Sequence, residues 1–354
     1  MRFGPVPLAE ATGAVLAHSV DLGGKRLRKG LVLEAAHLAA LEQAGHAVVI
    51  VARLDPHDVH ENDAAALLAA ALVPDPEAAG LRLTAPFTGR VNLVATGPGV
   101  VVMDAPALTA VNGVDPMITL ATVPPFHQMG KGGMVATVKI ISYGVARDGL
   151  EHACALAAGH DGAGAIRLAR VVLRSATLII TEIGGGPGHG PDHAGDHPPD
   201  KGRAAIRARL AALDMALDKV ITVPHREAEL ARAIAAARSD LVLILTGSAT
   251  SDIDDVGPAA LRLAGGRVER FGMPVDPGNL LFLGDLGARV VIGLPGCARS
   301  PALNGADWVL SRIACGLTVT ARDIAGMGIG GLLKEIPTRP MPRAGRNRGG
   351  PQEG

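Results

Sequence analysis

The residues best suited to chemistry crowd into one stretch, Thr246-Gly247-Ser248-Ala249-Thr250-Ser251-Asp252-Ile253-Asp254-Asp255-Val256-Gly257-Pro258. Gly247, Ser248, Ala249 and Thr250 are small, so their backbone N–H groups can approach a ligand closely. A helix starting beyond them would turn the positive end of its dipole toward an anion. The hydroxyls of Ser248, Thr250 and Ser251 add donors for phosphate oxygens. The acids Asp252, Asp254 and Asp255 would repel a bare phosphate. They fit a site where a divalent cation bridges acid and phosphate, or where one of them works as a base or metal ligand. The plainer account makes one an N-cap and leaves the others in solvent. Three acids within four residues tilt the reading toward function.

Two further loops carry the same kind of chemistry. Asp276-Pro277-Gly278-Asn279 has the composition of a turn. Gly293-Leu294-Pro295-Gly296 leaves an apolar run on a Pro-fixed, Gly-permissive bend, and Arg299 and Ser300 then follow as anion ligands by residue type. Lys201, at the start of an expected helix, is a further phosphate contact. Arg207 and Arg209 on that helix read as a solvated face. None of the loops is a P-loop, and none has the full context of a dinucleotide fingerprint. His189, His193 and His197 recur every fourth residue, but Gly190, Pro191, Gly195 and Pro198 argue against the helix that would align them. A loop that binds metal adventitiously is the preferred reading. No nucleophile elbow or Cys–His signature is present.

Positioning these loops needs a scaffold, and from about residue 172 the pattern supplies one. Expected strands are Thr177–Ile183, Leu217–Val223, Leu241–Leu245, Val268–Phe271 and Arg289–Ile292. Expected helices are 203–213, 228–237, 256–264 and 303–313. Alternating apolar runs and helical patterns argue for a parallel sheet covered on both faces. Ligands of such sheets bind outside the carboxyl ends of the strands, so three small-residue loops imply one shared crevice. Upstream, residues 1–74 read as a small mixed unit, with a helix stopped by Gly45, a strand at Val48–Val51 and an alanine-rich helix at Ala64–Leu72. Residues 75–170 read as a β-rich domain, with strands near Val91–Ala95, Val100–Met103, Met117–Ala121 and Met134–Ile141. Asn112–Asp115 reads as a turn. The α/β domain then covers 171–318. The tail from 319 is Gly-, Pro- and Arg-rich; Gly326–Gly331 reads as a flexible flap and 339–354 as disordered.

Composition narrows the function classes. The 354 residues are enough for two or three domains, and 48% are hydrophobic, which argues against global disorder. Lys and Arg equal Asp and Glu at 34 each, and aromatics make up 2%, so neither a polyanion footprint nor a base-stacking surface is expected. The three cysteines form no CxxC and no even set, which suits a reduced, cytoplasmic setting. No signal peptide and no run long enough to span a bilayer is read.

At its three loops the sequence resembles the molybdopterin-binding proteins of molybdenum cofactor biosynthesis, which include molybdopterin adenylyltransferases and molybdotransferases. Thr246–Asp255 matches that family's small-residue loop ending in Asp. Asp276–Asn279 matches its Pro-Gly-Lys-Pro-like loop, and Gly293–Ser300 its Gly-Leu-Pro-Gly-Asn-Pro-like loop. Lys29–Leu33 through Ala44–Val51 also looks like the molybdotransferase approach to this domain. The β-rich middle has no place among the well-known members, so the chain looks like a variant branch. The departures are Thr-Gly-Ser for Gly-Gly-x, Asn279 where the family has Lys, and Cys297 where Asn is usual. Aligning glycines puts the family's Asp at Asp254; aligning Asp-Val-x-Pro puts it at Asp255, the favoured register.

The resemblance implies a three-layer α/β domain with a mostly parallel sheet. It further implies a transferase acting on molybdopterin or its nucleotide form, with Mg²⁺ and molybdate or ATP. Asp255, helped by Asp252 and with Asp254 as the alternative, would hold the cation or polarise the reacting phosphate. Gly247, Ser248, Ala249, Thr250, Ser251, Pro277, Gly278, Asn279, Pro295, Gly296, Arg299, Ser300 and Lys201 would cradle the pterin phosphate. The alternative is a carrier that hands cofactor to a cytidylyltransferase or a molybdoenzyme. Homo-oligomers are common in this architecture.

Overall fold

The computed structural model describes residues 1–159, 162–183 and 199–333, so the histidine-rich segment and the last 21 residues lie outside the described part. The chain divides into two compact units. One comprises Met1–Arg174 with Ala211–Met215 and Ser311–Thr318; the other comprises Ser175–Leu210, Ala216–Leu310 and the chain from Val319.

The second unit holds the three loops. Its six-stranded sheet runs, from one edge to the other, Ala216–Pro224, Ser175–Glu182, Leu241–Leu245, Arg289–Leu294, Phe282–Leu286 and Arg267–Phe271. The first four strands are parallel, and the last two pair antiparallel. The mostly parallel sheet expected from the sequence is therefore present. Phe282–Leu286 is a strand that the apolar pattern did not announce, because Gly284 and Asp285 interrupt its run.

Leu241–Leu245 occupies the middle of the sheet, and all five side chains are fully buried. Full burial of each such side chain is worth about 1.5–3 kcal/mol, so a one-residue slip of this strand is heavily disfavoured. Val242 and Ile244 face the helices 227–236 and 256–263, in a core with Leu230, Ile234 and Leu261. Alternate residues point the other way. A Cβ at Gly202, on helix 199–211, would stand 3.3 Å from Leu245 Cδ2. Helices therefore cover both faces, giving three layers.

Among the described residues Phe282 is the largest fully buried side chain. Its ring fits because two neighbours have no side chain. A Cβ at Gly293 would lie 1.9 Å from the ring, and one at Gly257 would lie 2.9 Å from it.

The first unit, which joins the stretches 1–74 and 75–170, is rich in short strands and contains more helix than the pattern announced. Helix 61–72 and helices 105–114 and 147–157 pack into one core with the strands 90–95, 99–103 and 134–140. Asn112–Val114 is the end of a helix and not a turn. The Asn112 side-chain amide donates to Leu120 O at 2.9 Å and accepts from Leu120 N–H at 2.8 Å, so it stands in for a strand on the edge of a four-stranded sheet. A separate three-stranded sheet carries Arg2–Pro7 on its edge, where Pro5 and Pro7 are tolerated.

Gly326–Gly331 does not form a free flap. Thr320 and Asp323 form a capping box for helix 321–326, and the chain then returns to the second loop. Asp276 N–H donates to Gly331 O at 2.9 Å, and Leu333 N–H donates to Asp276 O at 2.8 Å.

Candidate functional site

The parallel register sets the site. Leu245 is paired with Leu294, so the loops that begin at Thr246 and Pro295 leave the sheet side by side. Phe271 is paired with Phe282, and Phe282 with Gly293, which brings the loop between Phe271 and Phe282 to the same edge. All three small-residue loops therefore gather at the carboxyl end of the central strands, as the sequence implied.

In the first loop, Gly247 N–H donates to Thr181 Oγ1 at 2.9 Å, and that hydroxyl lies 2.7 Å from His225 Nδ1. His225 had no sequence signal, and it is placed by the end of strand 216–224. Thr250 is buried, with its hydroxyl 3.4 Å from Thr246 Oγ1, while Gly247, Ser248, Ala249 and Ser251 are exposed. Asp255 is the N-cap of helix 256–263 and accepts from Val256 N–H at 2.7 Å and Ser251 N–H at 3.0 Å. Pro258, in the first turn, removes one donor that would otherwise need a partner. Asp254 pairs with Arg262 at 2.6 Å, and Asp252 accepts from Asp254 N–H at 2.9 Å. The plain account of the cluster is thus realised for Asp255, and the other two are exposed. Among the described residues, no group of three or more His, Cys, Asp or Glu side chains forms a metal-ligand set.

The second loop is built by backbone contact. Gly305 N–H donates to Pro277 O at 2.8 Å, and a Cβ on Gly278 would stand 2.8 Å from Gly305 N. Gly278 is required there by close approach and by its φ of +146°. Asn279, at the family's Lys position, turns its amide to Met273 O at 3.4 Å.

In the third loop, Arg299 is half-buried and donates to Thr246 O at 2.8 Å, which ties the third loop to the first. Burial pulls its guanidinium below the ordinary arginine range, and the group still remains protonated. Burial pushes the Cys297 thiol up, an effect to which nearby Asp276 adds and which Arg209 opposes.

A cavity of about 590 Å³ opens between this loop and helix 199–211. Gly296, Arg299 and Ser300 line one wall together with Cys297 and Pro301; Lys201 and three alanines line the other. Lys201, Ala204, Ala205 and Ala208 follow the i, i+3, i+4, i+7 spacing of a single helix face. Small residues at three of those positions leave room for a ligand. That spacing is readable in the sequence. Among the described residues no carboxylate lines this cavity, so the structure separates the sequence-predicted residues. Lys201, Gly296, Arg299 and Ser300 come together around it. Gly247, Ser248, Ala249, Thr250, Ser251, Asp252, Asp254, Asp255, Pro277, Gly278, Asn279 and Pro295 lie outside its lining.

The solvated face expected for Arg209 is not observed. Its side chain is 9% exposed and donates to Asp307 Oδ1 at 2.6 Å, Ala298 O at 2.8 Å, Ser300 O at 2.9 Å and Ala302 O at 3.0 Å. Its partners are mainly backbone carbonyls remote in sequence, which side-chain patterning cannot reveal.

Among the described residues, no helix is long and apolar enough to cross a membrane. Residues 5–53 match the model of a domain of unknown function. No curated protein matches the sequence. Among solved structures, the chain is similar to a molybdopterin biosynthesis MoeA protein from Pyrococcus horikosii, at 13% identity over 92% of this chain and 76% of that one, with a TM-score of 0.29. It is similar to a molybdopterin biosynthesis protein from Mycobacterium abscessus, at 16% identity over 41% of this chain and 92% of that one, with a TM-score of 0.27. It is also similar to CinA, a protein with unknown function from Thermoplasma acidophilum, at 18% identity over 36% of this chain and 90% of that one, with a TM-score of 0.25. The assignment rests on the family model described as a probable molybdopterin binding domain, which matches residues 170–313. Residues 170–313, less than half of the chain, are thus similar to the molybdopterin-binding domains of molybdenum cofactor biosynthesis.

Proposed function

We propose that the crevice at the carboxyl edge of the sheet binds molybdopterin or its nucleotide form and carries out a molybdotransferase- or adenylyltransferase-like step. The observation that carries this reading is the cavity beside the third loop, where Lys201 and Arg299 supply positive charge between walls of alanine, glycine and proline. A planar heterocycle suits the apolar walls, and its phosphate suits the two cations and the Ser300 hydroxyl. Arg299 reaches Thr246 O with one nitrogen and lines the cavity. The exposed first loop, with Gly247, Ser248, Ala249 and Ser251, offers the further donors.

The acids fit a supporting cation role in part. Asp255 gives both carboxylate oxygens to backbone N–H groups, so Asp252 is the better placed of the two proposed ligands. Magnesium binds through one or two carboxylates plus substrate phosphates, so a bridging ion would have to reach the phosphate from the first loop, outside the cavity lining. When bound, the ion would neutralise phosphate charge; molybdate or ATP would be the co-substrate. A carrier that delivers cofactor to a nucleotidyltransferase or molybdoenzyme is the second reading. It is favoured by the engagement of Asp255 as a cap and of Asp254 with Arg262.

The test is a titration of purified protein with molybdopterin, with and without Mg²⁺, comparing wild type with Arg299→Gln. One charge-assisted hydrogen bond is worth about 1.5–3 kcal/mol, so the variant should bind about 10- to 150-fold more weakly. No saturable binding by the wild type would end the proposal. Binding without turnover of ATP or molybdate selects the carrier.

A further inference from the structure

We propose that Arg209 is a positioning residue for the phosphate-gripping loop, a role that deepens the reading above and rests on it. Arg209 sits on the helix that forms one wall of the cavity, eight residues after Lys201 and so on the same face. Its guanidinium crosses to the other wall. Three of its four hydrogen bonds go to backbone carbonyls of the third loop, at Ala298, Ser300 and Ala302. These residues bracket Arg299 and Pro301, which line the cavity. The fourth bond goes to Asp307, whose other carboxylate oxygen accepts from Asn304 N–H at 2.8 Å. Asn304 in turn accepts from Ala306 N–H at 2.8 Å and caps the helix that follows the loop. The loop is thus held along its length by one side chain and at its exit by the partner of that side chain.

The geometry explains why an arginine is needed. Three loop carbonyls and one carboxylate are presented to a planar fork with five N–H donors. A lysine offers one nitrogen and cannot reach acceptors spread over that fork. The clamp fixes the width of the cavity and the direction from which Arg299 approaches the ligand and Thr246. Arg209 touches no ligand in this account; it acts through the loop.

The test uses the full chain with Arg209→Lys and Arg209→Gln and two readouts. The first needs no ligand: amide hydrogen exchange read on peptides covering residues 296–303 and, as control, the strand Leu241–Leu245. Loss of at least one charge-assisted hydrogen bond should speed exchange in the loop about tenfold or more while the strand stays unchanged. The second is the affinity for molybdopterin, expected to fall by about tenfold in Arg209→Lys and further in Arg209→Gln. Unchanged loop exchange in both variants overturns the proposal. So does acceleration of loop and strand together in both, which would make Arg209 a general stabiliser of the domain. Faster loop exchange with wild-type affinity for molybdopterin overturns the link to ligand binding. If the wild type binds no molybdopterin, the molybdopterin reading falls; loop exchange alone then decides whether Arg209 positions the loop.

Discussion

Replacing Asp255 separates two jobs that its position combines. The carboxylate caps helix 256–263 and holds Ser251 N–H, and it also stands where the resemblance places a reacting or cation-binding acid. Asp255→Ala removes the cap, which costs about 1 kcal/mol within a range of 0.5–2. The freed Ser251 N–H lies in an exposed loop and can turn to water, so it adds little. The melting temperature should fall by about 2–4 °C per kcal/mol for a domain of roughly 150–250 residues. Asp255→Asn keeps an acceptor oxygen, and Asn caps about as well as Asp. It loses only the charge beside the helix dipole, worth about 0.3–1 kcal/mol. The assay is calorimetric melting of the three proteins, alongside molybdopterin titration and turnover. Melting should fall in the order wild type, Asn, Ala. Loss of turnover in the Asn variant at near-native stability assigns the acid to chemistry. An Ala variant that melts with the wild type would refute the capping argument.

Other outcomes follow from the same geometry. Gly293→Ala should destabilise the domain by about 1–3 kcal/mol or more, seen as a lower urea midpoint, because the new Cβ would meet the Phe282 ring at 1.9 Å. Adding Phe282→Leu should recover part of that loss. The Arg267 guanidinium, and then Ala321 N–H, hold the Glu269 carboxyl below the ordinary glutamate range. Its contribution to stability is therefore present above about pH 4.3 and lost as pH falls through the lower folded value. The melting difference between wild type and Glu269→Gln should shrink over that acid interval, and a constant difference down to strong acid would contradict the assignment. Burial pushes the Cys315 thiol up to about 11. Alkylation of native protein near pH 8 should mark exposed Cys297 and spare Cys315, as peptide mass spectrometry would show.

Much of this arrangement was legible because it follows from local rules. Leu241–Leu245 is a continuous apolar run between polar punctuation, and its strand bounds match that run. Once the strands are parallel and neighbouring, Thr246 and Pro295 must emerge together, so the gathering of the loops at one edge of the sheet was implied by order alone. Other features depend on partners that a linear reading does not hold. Arg209 looks like any helix-surface cation until carbonyls 89 to 93 residues away fold over it. Asn112 looks like turn material until Leu120 comes to rest against it. Strand 282–286 hides because glycine and aspartate interrupt its pattern, and antiparallel pairing on the sheet's far side accommodates both. Asp255 stands out in the sequence by residue type and spacing, but residue type alone does not tell a cap from a catalyst.

The Phe282 ring has a consequence for how such a chain can vary. Gly257 lies in the first turn after the first loop, and Gly293 lies near the end of the strand that opens the third. The same ring occupies the space that a side chain at either position would need. A lineage that enlarges one of these glycines must shrink the ring in step, and a lineage that shrinks the ring opens a void that invites larger neighbours. The steric contacts couple the three positions, so a change at one calls for a matching change at another. The spacing between the two loops is carried with them, so drift elsewhere in the domain can reshape the loops' chemistry without pulling them apart.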